Sequence, residues 1–242
     1  MTLRRIWIAV LTLCFSVTGL CAQTATVQAR VEVEGATKPA RGPLPSTVVW
    51  LTPMQGGLKV QMLPPSGPPP RLTQRNKSFD PHVLVVPAGS AVEFPNRDPF
   101  FHNVFSLFEG KRFDLGLYEA GSSRVVHFDR AGISYIFCNI HPEMSGVVIT
   151  LTTPFYAVTH GQGPVEIRDV PYGRYEFHIW SEATGPETTP AAPREITISE
   201  GATSLGVIKV PALNGQSPAH KNKYGRDYDP PTPDSPVYRQ QP

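Results

Sequence analysis

Short apolar stretches that alternate with polar positions, broken by Pro- and Gly-containing turns, run along most of this chain. Residues 26–34, Thr-Val-Gln-Ala-Arg-Val-Glu-Val-Glu, alternate with a period of two and predict a strand. Gly35 to Pro45 reads as a polar loop, and Val48 to Leu51 as a second strand. Residues 52–70 are rich in Pro and Gly, including Pro68-Pro69-Pro70, and read as a linker or irregular loop. A new pattern begins near Gln74. Strands are expected at Val83–Val86, Ala91–Phe94, 103–107, 124–128, 133–138 and 146–152, with Ala88-Gly89-Ser90 as a turn and Asn96 to Phe101 as a loop. This density of short strands suggests an antiparallel sandwich. A third stretch predicts strands at Phe155–Val158, Val165–Ile167, Tyr175–Trp180, Glu195–Ile198 and Ser204–Val210. Residues 213–242 are polar and Pro-rich without periodicity and are expected to be a disordered tail.

Composition agrees with an all-β class. The 242 residues include 27 prolines and 20 glycines, and no long 3.6-residue periodicity occurs. Arg4 and Arg5, the apolar run Ile6 to Leu13, and small residues around Cys21 and Ala22 read as an export signal over residues 1–22, cleaved after Ala22. The run is too short to favour a membrane span, so the mature chain is expected to be periplasmic or secreted with no transmembrane segment. Lipid attachment at Cys21 is the competing reading, disfavoured by Leu20 just before it. Without residues 1–22, twenty basic and twenty acidic residues remain. That balance points away from nucleic acid and from strongly charged partners.

Cys14 and Cys21 lie in the signal, leaving Cys138 alone. A lone thiol in an exported protein calls for burial, an intermolecular partner or a metal. The segment Cys138-Asn139-Ile140-His141-Pro142-Glu143-Met144 offers a thiolate, an imidazole and a thioether from one short loop. Soft sulfur with imidazole selects copper, and two imidazoles plus a thiolate with a weak axial Met make a blue-copper electron-transfer site. His102, at the end of a loop and before a strand, is the candidate for the second imidazole. Taken singly, Cys138 also fits a small core residue, and Met144 a gap filler. Cys138 as a nucleophile with His141 as base lacks an evident third member. Zinc is poorly served by Met. His82, His127, His160, His178 and His220 show no ligand spacing and read as surface or hydrogen-bonded residues. Asp98 reads as a turn residue, Phe100 and Phe101 as a cover over the site or as core, and Tyr224, Tyr228 and Tyr238 as solvated.

From Phe79 to Leu151 the chain resembles a cupredoxin of the plastocyanin and amicyanin group. The matching pieces are Phe79-Asp80-Pro81, the Val-rich strand, Ala88-Gly89-Ser90-Ala91-Val92, Asn96, His102-Asn103-Val104, and Cys138, His141, Met144 and Gly146 at their spacing. The two-residue spacer before Met144 is amicyanin-like. The whole chain is also similar to bacterial exported proteins described as methylamine-utilisation-type cupredoxins. The resemblance implies one copper ion cycling between Cu(II) and Cu(I). Cys138 would give the strong thiolate bond, His102 and His141 would complete the trigonal plane, and Met144 would be axial. Asn103 would hydrogen-bond near the thiolate and tie the two loops together. Redox partner proteins would dock near His141, whose edge would lie close to the surface.

Residues 153–180, with Ile167-Arg168-Asp169-Val170-Pro171-Tyr172-Gly173-Arg174-Tyr175-Glu176-Phe177, resemble the second half of a carboxypeptidase-regulatory-like, transthyretin-like sandwich, and residues 27–52 its first half. The usual Asp-Gly turn is here Gly161-Gln162-Gly163. The expected arrangement is therefore a split sandwich, 26–65 and 153–212, around a Greek-key cupredoxin domain at 70–152. Consecutive independent units are the alternative. The expected function is a monomeric one-electron carrier, not an enzyme, because no His-x-His pairs for a multicopper cluster and no second loop cysteine occur. A copper-delivery protein, or a binding module with a structural copper site, is the rival.

Overall fold

A computed structural model describes residues 23–35, 44–54, 62–63, 66–107, 110–185, 192–212 and 220–228. The export-signal reading of residues 1–22 therefore lies outside the described residues, as do residues 36–43 and 55–61 of the two expected loops. The chain is all-β, with a single 3₁₀ turn, Glu182–Thr184, among the described residues.

The strands are β1 (Thr24–Glu34), β2 (Ser46–Pro53), β3 (Thr73–Arg75), β4 (Ser78–Asp80), β5 (Val83–Pro87), β6 (Ser90–Pro95), β7 (His102–Ser106) and β8 (Phe113–Tyr118). They continue as β9 (Ser123–Phe128), β10 (Gly132–Cys138), β11 (Ser145–Leu151), β12 (Tyr156–His160), β13 (Gly163–Pro171), β14 (Gly173–Ser181), β15 (Arg194–Ile198) and β16 (Ser204–Pro211).

Two sandwiches share one stack. In the first, a five-stranded sheet in the order β5-β11-β10-β7-β8 faces the ribbon β6-β9. Between them lie Val86, Val92, Phe94, Val104, Phe128, Ile136 and Val148, together with Cys138 and Met144. In the second, β13-β1-β16 faces β12-β2-β14-β15 over Val27, Val31, Val49, Leu51, Ile167, Phe177 and Ile208. A third apolar layer joins them. Val147, Ile149 and Leu151 of β11 meet Val48 of β2 and Trp180 of β14, and the Trp180 indole donates to the Tyr135 hydroxyl at 2.9 Å.

This middle layer explains two runs in the sequence. Val48-Val49-Trp50-Leu51 sends alternate side chains into the two cores. β11 is buried from Gly146 to Leu151 because Val148 faces one core while its neighbours face the other. The sheets are mixed, which the antiparallel expectation did not include: β5 runs parallel to β11, and β1 runs parallel to β16. β1, from the start of the chain, is the middle strand between β13 and β16, so residues on either side of 70–152 complete the same two sheets.

Three elements escaped the sequence reading. β3 and β4 form a tight hairpin whose turn residues, Asn76 and Lys77, both have φ of 54°. A two-residue turn with both φ values positive matches the twist of its strands. β8 was missed because Gly116, at φ 67°, interrupts its alternation. Residues 220–228, expected to be part of a disordered tail, pack on the first sandwich instead. The physical reason is that Phe105 and Phe137 pair across β7 and β10 with ring centroids 5.9 Å apart. Their rings need a cover, and the His220 ring stacks on Phe137 at 4.2 Å.

Candidate metal centre

The site forms where β7 begins and β10 ends. His102 is the first residue of β7, Cys138 is the last of β10, and the two strands pair through Phe137–Phe105 and Cys138–Val104. His141 and Met144 lie in the loop from β10 to β11. That loop is closed by its own backbone, with Met144 N–H donating to the His141 carbonyl at 3.0 Å and Cys138 N–H to the Met144 carbonyl at 3.3 Å. Residues 36 apart in sequence thereby meet at one end of the sandwich.

His102 Nδ1 is 3.5 Å from Cys138 Sγ, His141 Nδ1 is 3.4 Å from it, and the two Nδ1 atoms are 3.2 Å apart. The circumradius of that triangle, the product of its sides over four times its area, is about 2 Å, the distance at which imidazole nitrogen binds a first-row metal ion. Among the described residues these three form the one group of His, Cys, Asp and Glu side chains arranged to hold a metal ion. All three are buried, Cys138 as a free thiol. Met144 is fully buried in the same cluster as Cys138. The donor set, two imidazoles and one sulfur against the apolar core of the sandwich, fits a soft or borderline transition metal such as copper and not a hard, oxygen-seeking cation.

Protonation states follow from burial. Burial pushes the Cys138 thiol up, against the backbone N–H groups of Asn103, Ile140 and His141 that favour the thiolate. Burial, joined by the neighbouring His102, brings His141 down to about 4. Burial likewise lowers His102, opposed by Asp98. Neutral imidazoles with free Nδ1 lone pairs are the form that binds a metal.

Asp98, read as a turn residue, has a larger part. Its Oδ2 lies 2.9 Å from His102 Nε2. An ionised carboxylate only accepts, so this contact puts the ring proton on Nε2 and leaves Nδ1 free to face the site. Asp98 also accepts from Asn76 N–H at 2.5 Å and Lys77 N–H at 3.0 Å. The β3–β4 turn thus presents two consecutive amides to the residue that orients His102. Burial alone would raise the Asp98 carboxyl, but the Lys77 amide, the imidazole and the Asn76 amide outweigh it and hold it below the usual range.

Asn103 acts through its main chain, whose N–H favours the Cys138 thiolate. Its carbonyl accepts from Asn139 N–H at 2.8 Å, so the main chain ties the two segments, while its side-chain amide donates to Asp114 Oδ1 at 2.6 Å. The edge of His141 is not open: only 2% of the residue is exposed, and the Phe100 ring lies 5.4 Å from both imidazoles. Phe101 beside it is half exposed. Of the histidines read as surface or hydrogen-bonded, His82 pairs with Glu182 at 2.5 Å, and His178 stacks on Trp50 at 4.9 Å.

Comparison with solved structures finds partial likenesses. A purple cupredoxin from Nitrosopumilus maritimus aligns at 24% identity over 34% of this chain and 96% of that chain, with a TM-score of 0.30. An amicyanin variant in its reduced state aligns at 22% over 34% of this chain and 82% of its own, with a TM-score of 0.32. A copper-containing nitrite reductase from Thermus scotoductus aligns at 25% over 41% of this chain and 25% of its own, with a TM-score of 0.34. No protein-family model matches the chain. No curated protein matches it either.

Proposed function

We propose that this chain is an exported, monomeric one-electron carrier with a single type 1 copper ion, which His102 Nδ1, His141 Nδ1, Cys138 Sγ and the Met144 thioether would hold. The observation that carries this reading is the triangle of two imidazole nitrogens and one sulfur with sides of 3.2–3.5 Å. Copper bound there would supply the Cu(II)/Cu(I) couple. The protein's part is to hold and shield. β7 and β10 fix two of the ligands by main-chain pairing, the 138–144 loop fixes the others, and Phe100 excludes water above the imidazoles. A centre held this firmly favours fast electron exchange, because its ligands move little between oxidation states. Metal delivery favours exposed, mobile ligands, and these ligands are buried. The enclosing sandwich, similar in sequence to regulatory-like modules, acts in this reading as a rigid support with no chemistry of its own. Partners would approach over Phe100 and half-exposed Phe101 instead of a bare His141 edge.

Adding Cu(II) to the metal-free protein tests this. An intense visible thiolate-to-copper band, lost in Cys138→Ser, is the expected result. A colourless protein, or a band that survives the substitution, refutes the assignment. Fast reversible voltammetry with slow metal loss supports the carrier, whereas rapid metal loss with sluggish voltammetry supports delivery.

A further inference from the structure

The 138–144 loop and the β7 edge are joined by a segment that is distant in sequence. Asn222 organises residues 222–226 into a closed turn. Its N–H donates to the Arg226 carbonyl, and its side-chain oxygen accepts from Tyr224 N–H at 3.0 Å and Arg226 N–H at 3.1 Å. From this turn Lys223 reaches two residues of the site's surroundings. Its backbone N–H donates to Asn139 Oδ1 at 2.9 Å, and its ammonium sits 2.8 Å from Asp114 Oδ2.

Asp114 in turn accepts from the side chain of Asn103, and Asn139 N–H donates to the Asn103 carbonyl. The contacts therefore close a ring from Asn103 to Asp114, Lys223, Asn139 and back to Asn103. Asn103 follows His102, and Asn139 follows Cys138. Beside this ring the Tyr228 hydroxyl donates to the Cys138 carbonyl at 2.8 Å, where β10 ends. The His220 ring lies between Phe137 at 4.2 Å and Tyr228 at 5.3 Å, and so fastens the same segment to the sheet.

We propose that residues 220–228 are a built-in clamp of the metal centre, with Tyr228 and Lys223 as positioning residues that lock the two ligand-bearing segments together. This rests on the copper reading for its metal-bound consequences, but the clamp itself is a property of the metal-free chain. The physical argument is one of restraint. Main-chain pairing between β7 and β10 reaches only Cys138–Val104. Beyond it the loop is held to the β7 side by Asn139 N–H alone among the described main-chain bonds. The clamp adds a hydrogen bond to the ligand's own carbonyl and an ion-paired bridge from β8 to the loop. Loosening the loop frees the Cys138 and His141 donors to part from His102, which speeds metal escape and alters the geometry that sets the potential.

The test compares the full chain with Tyr228→Phe, Lys223→Gln and a chain ending at Leu213. In the metal-free proteins, amide hydrogen exchange at Asn139 reports the clamp directly. It is expected to quicken about three- to tenfold in each point variant, the effect of one lost hydrogen bond, and by more than tenfold in the shortened chain. In copper-loaded proteins, transfer to a chromophoric Cu(I) chelator should quicken in the same order, with a shift of the visible band and of the reduction potential. Lys223→Arg, which retains both the backbone donor and the cation, should restore most of the lost protection. Exchange and metal loss within twofold of the full chain in all variants overturn the clamp while leaving the copper reading intact. A full chain that never develops the band overturns the copper reading, and the exchange measurement still decides the clamp. Should the shortened chain unfold, the point variants carry the decision.

Discussion

Replacing Asp98 by Ala removes three hydrogen bonds at once, because the carboxylate accepts from Asn76 N–H, Lys77 N–H and His102 Nε2. Hydrogen bonds to a charged acceptor are each worth about 1.5–3 kcal/mol, yet the full sum is not expected. Asn76 is exposed and Lys77 half-buried, so water can take over for their amides. His102 is fully buried, and its Nε2–H would be stranded. The net cost is therefore set mainly by the imidazole and should come to about 3 kcal/mol in the metal-free protein. Metal affinity should fall about 10–100-fold, the usual effect of removing the partner that orients a histidine ligand. Asp98→Asn keeps the shape and one acceptor oxygen and should lie between parent and Ala. Urea unfolding of the metal-free proteins and competition for copper against a calibrated chelator measure the two effects. If Asp98→Ala unfolds within about 0.5 kcal/mol of the parent and binds copper equally well, the carboxylate does not orient His102 and the reasoning fails.

Three further outcomes follow from the packing and the charges. Ile149→Ala empties a fully buried position in the layer between the two sandwiches and should cost about 3 kcal/mol in denaturant unfolding, with both sandwiches affected because they share that layer. Deleting residues 24–34 removes the middle strand between β13 and β16, so limited proteolysis should open sites across 156–211 as well. The His82–Glu182 pair links the two sandwiches. Its hydrogen bond to Glu182 raises His82 above 6.5, whereas Glu182, which burial would raise, is held below 4.5 by His82. The His82 contribution is complete below 6.5 and fades as pH climbs through its raised value; the Glu182 contribution is complete above 4.5 and fades as pH falls through its lowered value. The Tm gap between parent and Glu182→Gln should therefore be widest between 4.5 and 6.5 and narrow as pH climbs through the raised His82 value; a gap that widens on that climb contradicts the pairing.

Much of the strand pattern is legible in the residues because alternation is local. Strands expected at 26–34, 83–86 and 195–198 occur at Thr24–Glu34, Val83–Pro87 and Arg194–Ile198. Local rules fail where the cause lies elsewhere. β8 is broken by Gly116, so Asp114 went unnoticed, and Asp98 looks like any loop acid because nothing in Asp98-Pro99-Phe100-Phe101-His102 says that the side chains at either end meet. One partial signal was available: Asn76 is of a type that tolerates the positive φ such a hairpin turn demands, although Lys77 beside it is not.

By itself the sequence determined the all-β class and the short loop that brings Cys138, His141 and Met144 within one turn of backbone, because neighbours in the chain cannot lie far apart. Only the tertiary structure decided that His102 faces Cys138 at 3.5 Å, that β1 lies between β13 and β16, and that Tyr228 closes on the Cys138 carbonyl. Those contacts join residues 36 to 177 positions apart, from the His102–Cys138 pair to the Arg30–Val207 pairing of β1 with β16. They form because two buried faces and a row of unpaired backbone groups must each be covered. Which distant segment covers them depends on the whole packing and leaves no mark in the local pattern.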